Sequence, residues 1–381
     1  MNEHTGNGKI SDTIGINGAG RIGKLVTWFI AGRRKVDKIV INIGRKVSNP
    51  AHYFSKDSTY GDFGRFFFGC DSKIKPEMKT DNSFMLNGVE VILLTRERNP
   101  GKIPWGEYGV KFVIDTTGEF KDPNMPMDTA KGSVRGHFFN GVEKVMISAP
   151  FKLKGKDKMP DDSITLMAGI KNDSYDQSKH RIVSSASCTT TALVYTLLPI
   201  INHFGVNTIE SIKMDTIHAA TGSQSVLDRA PKDDLKNPRK KRSIINNMIM
   251  TTTGAAKALK VVLPELEPIQ FATLSLRVPT NTASLVSLNI NLTETFPDLD
   301  ETFINQLYEA FAKTDQGRYM DISYDPNVSV DMIGSFNAVT IEGLETKVLN
   351  KKQLVIMGWY DNEMGYTRMM LELAKEIVRG R

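Results

Sequence analysis

The chain has 381 residues, of which 40% are hydrophobic and 24% charged, and a formal net charge of +6. This length suffices for two domains with separate cores, and the composition is that of an ordinary globular protein. No run approaches the roughly 18 apolar residues of a membrane span, and Met1–Asp12 lacks the apolar core of a secretion signal. The two cysteines, Cys70 and Cys188, suggest neither a disulfide framework nor a metal site, which predicts a reducing, cytoplasmic location. The mild positive charge suits anionic metabolites as well as nucleic acid.

The first half of the chain is predicted to bind a dinucleotide. A strand, Thr13–Asn17, leads into the turn Gly18-Ala19-Gly20-Arg21-Ile22-Gly23, followed by a helix with one apolar face and a second strand, Lys38–Asn42. Glycines in this setting let the backbone approach a pyrophosphate, whose charge the helix N-terminus stabilises. The pattern predicts a parallel α/β sheet of the Rossmann type.

One feature expected of an NAD site is missing. A carboxylate at the end of the second strand normally binds the adenosine ribose 2′-hydroxyl, but here the strand is followed by Ile43-Gly44-Arg45-Lys46. Arg45 or Lys46 can pair with a 2′-phosphate, which no carboxylate would repel. The alternative is that both are solvated loop residues. The sequence leaves NAD and NADP open and favours NADP use.

Two further strands are predicted in this sheet, over Lys111–Asp115 and Lys144–Ser148, and between them Lys121–Asn140 is predicted to be a helix with flanking loops. The turns that follow the strands are Thr116-Thr117-Gly118 and Ala149-Pro150. In open parallel sheets ligands bind beyond the carboxyl ends of the strands, so these turns are expected to line the cofactor crevice.

Cys188 is predicted to lie at a strand-to-helix junction. Arg181–Val183 is the end of a strand, and helical spacing of apolar residues begins after Thr189. The free N–H groups and the dipole of a helix N-terminus favour a thiolate over a thiol, which makes Cys188 a candidate nucleophile. The alternative is a buried, inert cysteine, and position alone does not decide between the two.

His218 is the candidate general base. It follows the predicted strand Glu210–Ile217 and precedes a loop of small and polar residues, Ala219–Ser223. A histidine in this position can act toward Cys188 or its substrate. The alternative is a structural or surface histidine, because contact between two residues so far apart must come from the fold.

Three parts of the second half are suited to binding anions. Residues 229–242 hold seven basic residues and two acidic ones, and Pro231 and Pro238 predict a long surface loop. Thr251–Lys257 opens a helix whose hydroxyl and N–H groups can bind an anion. Arg277, within or at the end of a strand, is expected to pair with a protein carboxylate or a ligand phosphate.

These residues together give a resemblance to a known family. From Ile14 to about Ala374 the sequence resembles the glyceraldehyde-3-phosphate dehydrogenase family. The shared motifs, in the family's order, are Ile16-Asn17-Gly18-x-Gly20-Arg21-Ile22-Gly23, Asp57-Ser58-Thr59-x-Gly61, Ser148-Ala149-Pro150, Ala186-Ser187-Cys188-Thr189-Thr190, His218-Ala219-x-Thr221, Thr253-Gly254-Ala255-Ala256-Lys257-Ala258, Arg277-Val278-Pro279-Thr280 and Trp359-Tyr360-Asp361-Asn362-Glu363-Met364-Gly365-Tyr366. The resemblance favours a catalytic Cys188 over an inert one.

The resemblance implies a Rossmann-type dinucleotide-binding domain and a mixed α/β catalytic domain. The first would span residues 1–187, completed by a C-terminal helix at 362–381, and the second would span 188–361. The basic loop 229–242 would be the family's S-loop, which reaches the cofactor site of a neighbouring subunit in a homotetramer. The implied reaction converts glyceraldehyde 3-phosphate and inorganic phosphate to 1,3-bisphosphoglycerate with NAD or NADP.

The resemblance also implies a role for each matching residue. Cys188 would attack the aldehyde carbon, and His218 would accept the hydroxyl proton. The implied ligands of the substrate phosphate are Thr221, Arg239 or Arg242, and Arg277, and those of inorganic phosphate are Ser187, Thr189, Thr253 and Gly254. The implied cofactor contacts are Asn17, Gly18, Gly20, Arg21, Ile22, Arg98, Thr117, Ser148, Asn362 and Tyr366.

Two departures from the family lie near the adenosine ribose. The family's aspartate is Ile43 or Gly44 here, depending on where a one-residue deletion is placed. The usual Leu-Pro of the S-loop is replaced by Arg229-Ala230-Pro231, with an apparent insertion. Both changes add positive charge and remove repulsion or bulk. Arg45, Lys46 and Arg229 are therefore the expected 2′-phosphate contacts, and NADP is expected to serve at least as well as NAD.

Two other functions are compatible with parts of the sequence. Erythrose-4-phosphate dehydrogenase shares the thiol and histidine but hydrolyses the thioester; Thr221 and Thr253-Gly254, which tend to change in that branch, are kept here and favour phosphate as the acyl acceptor. A non-catalytic role in nucleic-acid binding would use loop 229–242, which has no aromatic residue to stack on bases. Neither a nucleic-acid partner nor a membrane is expected.

Overall fold

The structure is a computed structural model that describes residues 12–153, 158–170, 174–230 and 237–379. The chain forms two compact units. One consists of the residues up to Ala186 together with those from Met370 onward, and the other is Ser187–Met369. The sequence analysis places the corresponding divisions after residues 187 and 361, so the second unit begins one residue earlier and continues into the C-terminal helix.

The first unit is built from short strands and helices, together with the part of the C-terminal helix from Met370 onward. Its strands are β1 Thr13–Asn17, β2 Lys38–Asn42, β3 Lys56–Asp57, β4 Gly61–Asp62, β5 Glu77–Thr80, β6 Ser83–Leu86, β7 Val89–Leu94, β8 Phe112–Asp115, β9 Lys144–Ile147, β10 Ser163–Thr165 and β11 Ile182–Ser184. Its α-helices are α1 Arg21–Gly32, α2 Pro50–Ser55 and α3 Phe63–Phe68, and 3₁₀ helices span Pro100–Lys102, Trp105–Tyr108 and Val134–Asn140.

Nine of these strands form one sheet in the order β10-β11-β9-β8-β1-β2-β7-β6-β5. The pairs from β10 to β7 are parallel, and β6 and β5 extend one edge in antiparallel pairing. β1 lies centrally between β2 and β8, with Ile14 and Ile16 fully buried, as expected for a parallel sheet covered on both faces. The predicted Rossmann-type unit of β1, α1 and β2 is confirmed.

Of the helix with flanking loops predicted in Lys121–Asn140, only a short helical segment is present, and it is a 3₁₀ helix and not an α-helix. The chain there runs through turns and ends in the 3₁₀ helix Val134–Asn140. Pro123 and Pro126 lack the N–H group that a helix interior needs. Gly132 has a φ of +83°, a left-handed conformation that a right-handed helix cannot contain.

The second unit is a mixed sheet with helices. Its strands are β12 Ile209–Ala219, β13 Ile249–Thr251, β14 Gln270–Val278, β15 Ser284–Leu292, β16 Met320–Ser323, β17 Val339–Glu342, β18 Lys347–Leu349 and β19 Gln353–Tyr360. Its helices are α4 Cys188–Phe204, α5 Ala255–Val262, α6 Glu301–Ala312 and the start of α7 Met364–Arg379. The sheet order is β13-β14-β12-β15-β19-β17-β16, with β18 paired to β19.

Helix α4 packs on this sheet, against β15, β17 and β19. Every residue from Thr189 to Ile200 is buried, because the helix is apolar almost all round. Within the described residues, no helix has the length and apolarity needed to cross a bilayer. In the same part of the chain, no group of three His, Cys, Asp or Glu side chains is arranged to hold a metal ion.

Candidate active site

Cys188 is the first residue of α4. The hydroxyl of Ser187, the N-cap residue, accepts a hydrogen bond from the Thr190 amide at 3.2 Å, which satisfies one of the free donors of the first turn. Ala186 adopts a φ of +55°, a left-handed conformation that turns the chain sharply before the helix. The thiol therefore lies beside a helix N-terminus.

His218 faces this thiol. Its Nε2 atom lies 3.5 Å from Cys188 Sγ, and the residue, near the end of β12, is only 4% exposed. The structure thus brings together the two residues that the sequence suggests as nucleophile and base. The distance fits a direct proton transfer between sulfur and nitrogen.

Arg277 lies behind the histidine. β12 and β14 run parallel with His218 opposite Arg277, so the two side chains are on the same face of the sheet. Arg277 Nη1 hydrogen-bonds His218 Nδ1 and also donates to the Ala219 carbonyl at 3.1 Å. Arg277 Nε is buried and has no hydrogen-bond partner among the described residues. Of the two expected partners of Arg277, a ligand anion fits this free donor, since no described carboxylate pairs with it.

Burial sets the protonation states of the pair. It raises the pKa of the Cys188 thiol, against the opposing effects of the Arg277 charge and of hydrogen bonds from Thr189. Burial first, and the Arg277 charge second, lower the pKa of His218 to about 3. The site is therefore a thiol beside a neutral imidazole at neutral pH. Burial thus opposes the thiolate that the helix N-terminus favours.

The buried hydroxyls of Tyr360 and Thr216 complete the site, and the sequence analysis assigns neither of them a role. Tyr360 packs edge-on against His218, with ring centroids 6.0 Å apart. Its hydroxyl lies 3.1 Å from those of both Thr189 and Thr216. The available signal was strand alternation: Thr216 lies two residues before His218 in β12 and so shares its face.

The other predicted phosphate ligands make local hydrogen bonds. Thr221 donates from its amide and hydroxyl to Gln224 Oε1, at 2.9 and 3.0 Å. The Thr253 hydroxyl accepts from the Ala255 amide at 3.1 Å, and Gly254 is the N-cap of α5 with no side-chain cap. None of Thr221, Thr253 and Gly254 is hydrogen-bonded to Cys188, His218 or Arg277 in the structure.

The basic loop is described only in part. Pro231, Lys232 and Lys236 lie outside the described residues. Arg229, Arg239 and Arg242 are exposed, in agreement with the predicted surface loop. Arg242 Nε pairs with Asp228 at 3.1 Å, whereas no described carboxylate pairs with Arg239.

The glycine turn after β1 forms an open cradle at the start of α1. Gly18 has a φ of +103°, and a Cβ atom there would lie 2.8 Å from Thr116 Oγ1. At Gly20, the N-cap of α1, no atom lies within 4 Å of an added Cβ and no side chain caps the helix. Arg21 and Ile22 form the first turn beyond this opening. The arrangement fits the pyrophosphate of a dinucleotide.

Three other predicted cofactor contacts meet at Asp115, the last residue of β8. The buried side-chain amide of Asn17 donates from Nδ2 to Asp115 Oδ2 at 2.8 Å. The Thr117 amide and hydroxyl donate to Asp115 Oδ1 at 2.9 and 2.6 Å. The Ser148 amide donates to the Asp115 carbonyl at 2.9 Å. All lie at the carboxyl edge of the sheet, where a dinucleotide is expected.

Three positively charged side chains lie in the loop after β2 and beside it, where Arg98, which follows β7, contacts Gly44. Arg45, Lys46 and Arg98 are exposed, and no carboxylate pairs with them in the described part of the chain. Arg98 Nε donates to the Gly44 carbonyl at 3.4 Å. Gly44 has a φ of +66°, and a Cβ atom there would lie 2.6 Å from Arg98 Cγ. Positions 43 and 44 can both correspond to the family's aspartate. A side chain at position 44 would displace Arg98, whereas position 43 already holds the side chain of Ile43.

Asn362 and Tyr366 belong to the second unit. Asn362 Oδ1 accepts hydrogen bonds from the hydroxyls of Thr282 and Ser284, at 3.3 and 3.0 Å. These bonds fix the orientation of the amide and turn its NH₂ group away from both hydroxyls. Tyr366 is buried in the first turns of α7.

Comparison with known proteins decides the family. Residues 12–123 match the family described as "Glyceraldehyde 3-phosphate dehydrogenase, NAD binding domain", and residues 187–362 match "Glyceraldehyde 3-phosphate dehydrogenase, C-terminal domain". The chain is 32% identical over 365 residues to "Glyceraldehyde-3-phosphate dehydrogenase 2" of Bacillus subtilis, covering 96% of each chain. It is 34% identical over 361 residues to "Glyceraldehyde-3-phosphate dehydrogenase 1" of Bacillus cereus, covering 95% of this chain and 97% of the relative.

The chain belongs to the glyceraldehyde-3-phosphate dehydrogenase family. The predicted family, its α/β fold and a dinucleotide-binding first half are confirmed. The matched C-terminal region begins at residue 187, directly before Cys188, and extends through Asn362. The family is one of oxidoreductases. Cys188 and His218 both lie within the matched C-terminal region.

Proposed function

We propose that this protein oxidises glyceraldehyde 3-phosphate and transfers the acyl product to inorganic phosphate, giving 1,3-bisphosphoglycerate. The observation that carries the proposal is the 3.5 Å contact between Cys188 Sγ and His218 Nε2 at the N-terminus of α4. The printed names of the relatives support the choice of aldehyde.

The chemistry proceeds on the sulfur of Cys188. Cys188 transfers its proton to His218 and attacks the aldehyde carbon, and the proton passes to the carbonyl oxygen, which becomes a hydroxyl. His218, neutral because its pKa is held at about 3, then removes the hydroxyl proton as the C–H bond breaks. The dinucleotide that the glycine turn Gly18–Gly23 would hold would supply the hydride acceptor. Inorganic phosphate then attacks the thioester carbon and the C–S bond breaks. The acyl phosphate leaves, and the Cys188 sulfur takes back the proton held by His218.

Charged and hydroxyl groups would hold the two anions. The unpartnered Nε of Arg277 is a donor for the substrate phosphate, with Thr221 as a second donor. Arg239 suits this role better than Arg242, because Asp228 already pairs with Arg242. Inorganic phosphate would lie against Ser187, Thr189, Thr253 and Gly254.

We also propose that NADP is used at least as well as NAD. The loop after β2 lacks the ribose-binding carboxylate and exposes Arg45 and Lys46 without described ion-pair partners. A 2′-phosphate would therefore meet attraction in place of repulsion. Arg229 is the third proposed contact.

A homotetramer is the proposed assembly. Several exposed apolar side chains around the basic loop support self-association: Val226, Leu227, Ile245, Met248, Met250 and Leu274. Sedimentation velocity on the purified chain tests this proposal. The cytoplasmic location stays a prediction from the cysteine content.

The deciding experiment measures reduction of NAD and of NADP by the purified protein with glyceraldehyde 3-phosphate, with and without inorganic phosphate. Phosphate-dependent turnover is expected. An equal rate with and without inorganic phosphate would indicate that the thioester is hydrolysed. Cys188→Ser is expected to remove nearly all activity. His218→Asn should retain slow turnover, reduced about 10²- to 10⁴-fold, the usual contribution of a general base. Absence of turnover with both cofactors would contradict the proposal.

A further inference from the structure

A buried hydrogen-bond chain runs from the core of the first unit to the carboxyl edge of its sheet. Trp105 Nε1 donates to His137 Nδ1 at 3.0 Å, and His137 Nε2 lies 3.3 Å from Asp115 Oδ2. Trp105 and His137 are both fully buried, on separate 3₁₀ helices. We refer to Trp105, His137 and Asp115 as the relay.

The relay fixes one tautomer of His137. A tryptophan N–H can only donate, so Nδ1 must be the unprotonated nitrogen. The proton therefore lies on Nε2 and is donated to the Asp115 carboxylate. The donor on Trp105 and the acceptor on Asp115 therefore favour the same tautomer of His137.

Within the relay, Asp115 is the residue that contacts the strand ends. Its two oxygens also accept from the side-chain Nδ2 of Asn17 and from the backbone N–H and the hydroxyl of Thr117. Asn17 Oδ1 in turn accepts from Asn42 Nδ2 at 2.9 Å, and the Asn42 carbonyl accepts from the Gly18 amide at 2.9 Å. One carboxylate thus connects the ends of β1, β2 and β8 with the glycine turn.

We propose that Trp105 and His137 are positioning residues for the dinucleotide: through Asp115 they hold Asn17, Thr117 and the glycine turn in the geometry that binds the cofactor. The inference rests on the proposed function for the identity of that cofactor. The relay itself is buried and would touch neither cofactor nor substrate.

The test compares dinucleotide binding by calorimetry with turnover. His137→Phe removes the donor to Asp115 and is expected to raise the Kd for NAD and NADP about five- to tenfold, the effect of one buried hydrogen bond. The kcat at saturating cofactor should stay within about twofold. His137→Gln, which can again donate to Asp115, should recover most of the affinity.

Trp105→Phe has a matched control in the same unit. Trp28 is also fully buried, and its Nε1 donates to the Phe54 carbonyl at 2.6 Å, outside the relay. Trp105→Phe and Trp28→Phe should lower the unfolding midpoint alike, but only Trp105→Phe should weaken dinucleotide binding. Equal weakening by the two variants, or an unchanged Kd in folded His137→Phe, would overturn the inference.

The same data separate this inference from the proposed reaction. A wild-type chain that binds dinucleotide but shows no phosphate-dependent turnover would contradict the proposed reaction alone. The Kd values of the variants would then still test the positioning role of Trp105 and His137. A wild-type chain that binds neither NAD nor NADP would overturn both.

Discussion

Arg277 contacts the nitrogen of His218 that points away from the thiol. The same Nδ1 atom lies 2.8 Å from the Ala219 carbonyl. These two neighbours favour opposite tautomers: Ala219 accepts from a protonated Nδ1, whereas Arg277 donates to an unprotonated one. Only the first tautomer leaves Nε2 free to accept the thiol proton. An anion bound by Arg277 would weaken its hold on Nδ1 and so favour the tautomer in which His218 is a base toward Cys188.

The charge of Arg277 is expected to appear in the pH profile of kcat/KM. Arg277 is the second cause, after burial, of the lowered pKa of His218. In Arg277→Gln the acid limb should move to higher pH, toward the ordinary histidine value of about 6.5, because a protonated His218 is no longer repelled. Arg277→Lys keeps the charge and should keep the limb near its wild-type position. Both variants lose substrate affinity, so a limb that moves equally in both would contradict the electrostatic role.

His218 should also make stability depend on pH. Its pKa is about 3 in the fold and about 6.5 in the unfolded chain, so the unfolded state binds the proton more readily. The neutral histidine therefore contributes fully above about pH 6.5, and the contribution falls by about 1.4 kcal/mol per pH unit on acidification toward pH 3. Urea unfolding at pH 6.5 and pH 5 should show a drop about 2 kcal/mol larger for the wild type than for His218→Asn. Identical drops in the two proteins would rule this out.

Cofactor choice can be reversed at one position. A carboxylate at Ile43 would repel a 2′-phosphate and could accept from a ribose hydroxyl. Ile43→Asp should therefore lower the ratio of NADP to NAD efficiency by about tenfold or more, measured as kcat/KM for each cofactor. Ile43→Asn, of the same size and without the charge, is the control and should change the ratio much less. Equal ratios in the two variants would indicate that the ribose does not lie beside this loop.

Tyr360 is expected to support the binding of inorganic phosphate. Tyr360→Phe leaves the buried hydroxyls of Thr189 and Thr216 without their shared partner, a loss of about 1–3 kcal/mol. The KM for inorganic phosphate should rise several-fold, because Thr189 is no longer anchored. Tyr308→Phe is the matched control: Tyr308 is fully buried and donates to the Thr196 carbonyl at 2.6 Å. It should lower the unfolding midpoint and leave that KM unchanged; a similar KM rise in both variants would contradict the assignment.

The sequence predicts those parts of the fold that depend on neighbouring residues. β1, α1 and β2 follow from strand alternation, glycines and helical spacing within Thr13–Asn42. The start of α4 at Cys188 follows from the polar run before an apolar helix. Between Lys121 and Asn140, Pro123, Pro126 and the left-handed Gly132 disfavour an α-helix, and the 3₁₀ helix Val134–Asn140 forms after them.

The protonation state of the site could not be predicted in the same way. The helix dipole beside Cys188 is a local property, but the burial that raises the pKa of its thiol depends on strands far along the chain. The contact of Tyr360 with Thr189 joins residues 171 positions apart. The links of Asp115 to Asn17 and His137 likewise depend on strand pairing and loop packing, which a single sequence does not reveal.

The parallel register of β12 and β14 has a consequence for how activity is gained during folding. His218 meets Arg277 only in one alignment of these strands, and a shift by a single residue would place Arg277 on the opposite face. Because parallel pairing of distant segments forms slowly, a refolding chain can build α4 and most of its hydrophobic core before the base acquires its charged neighbour. Recovery of activity then reports the final strand alignment, and it should lag behind the recovery of helical circular dichroism.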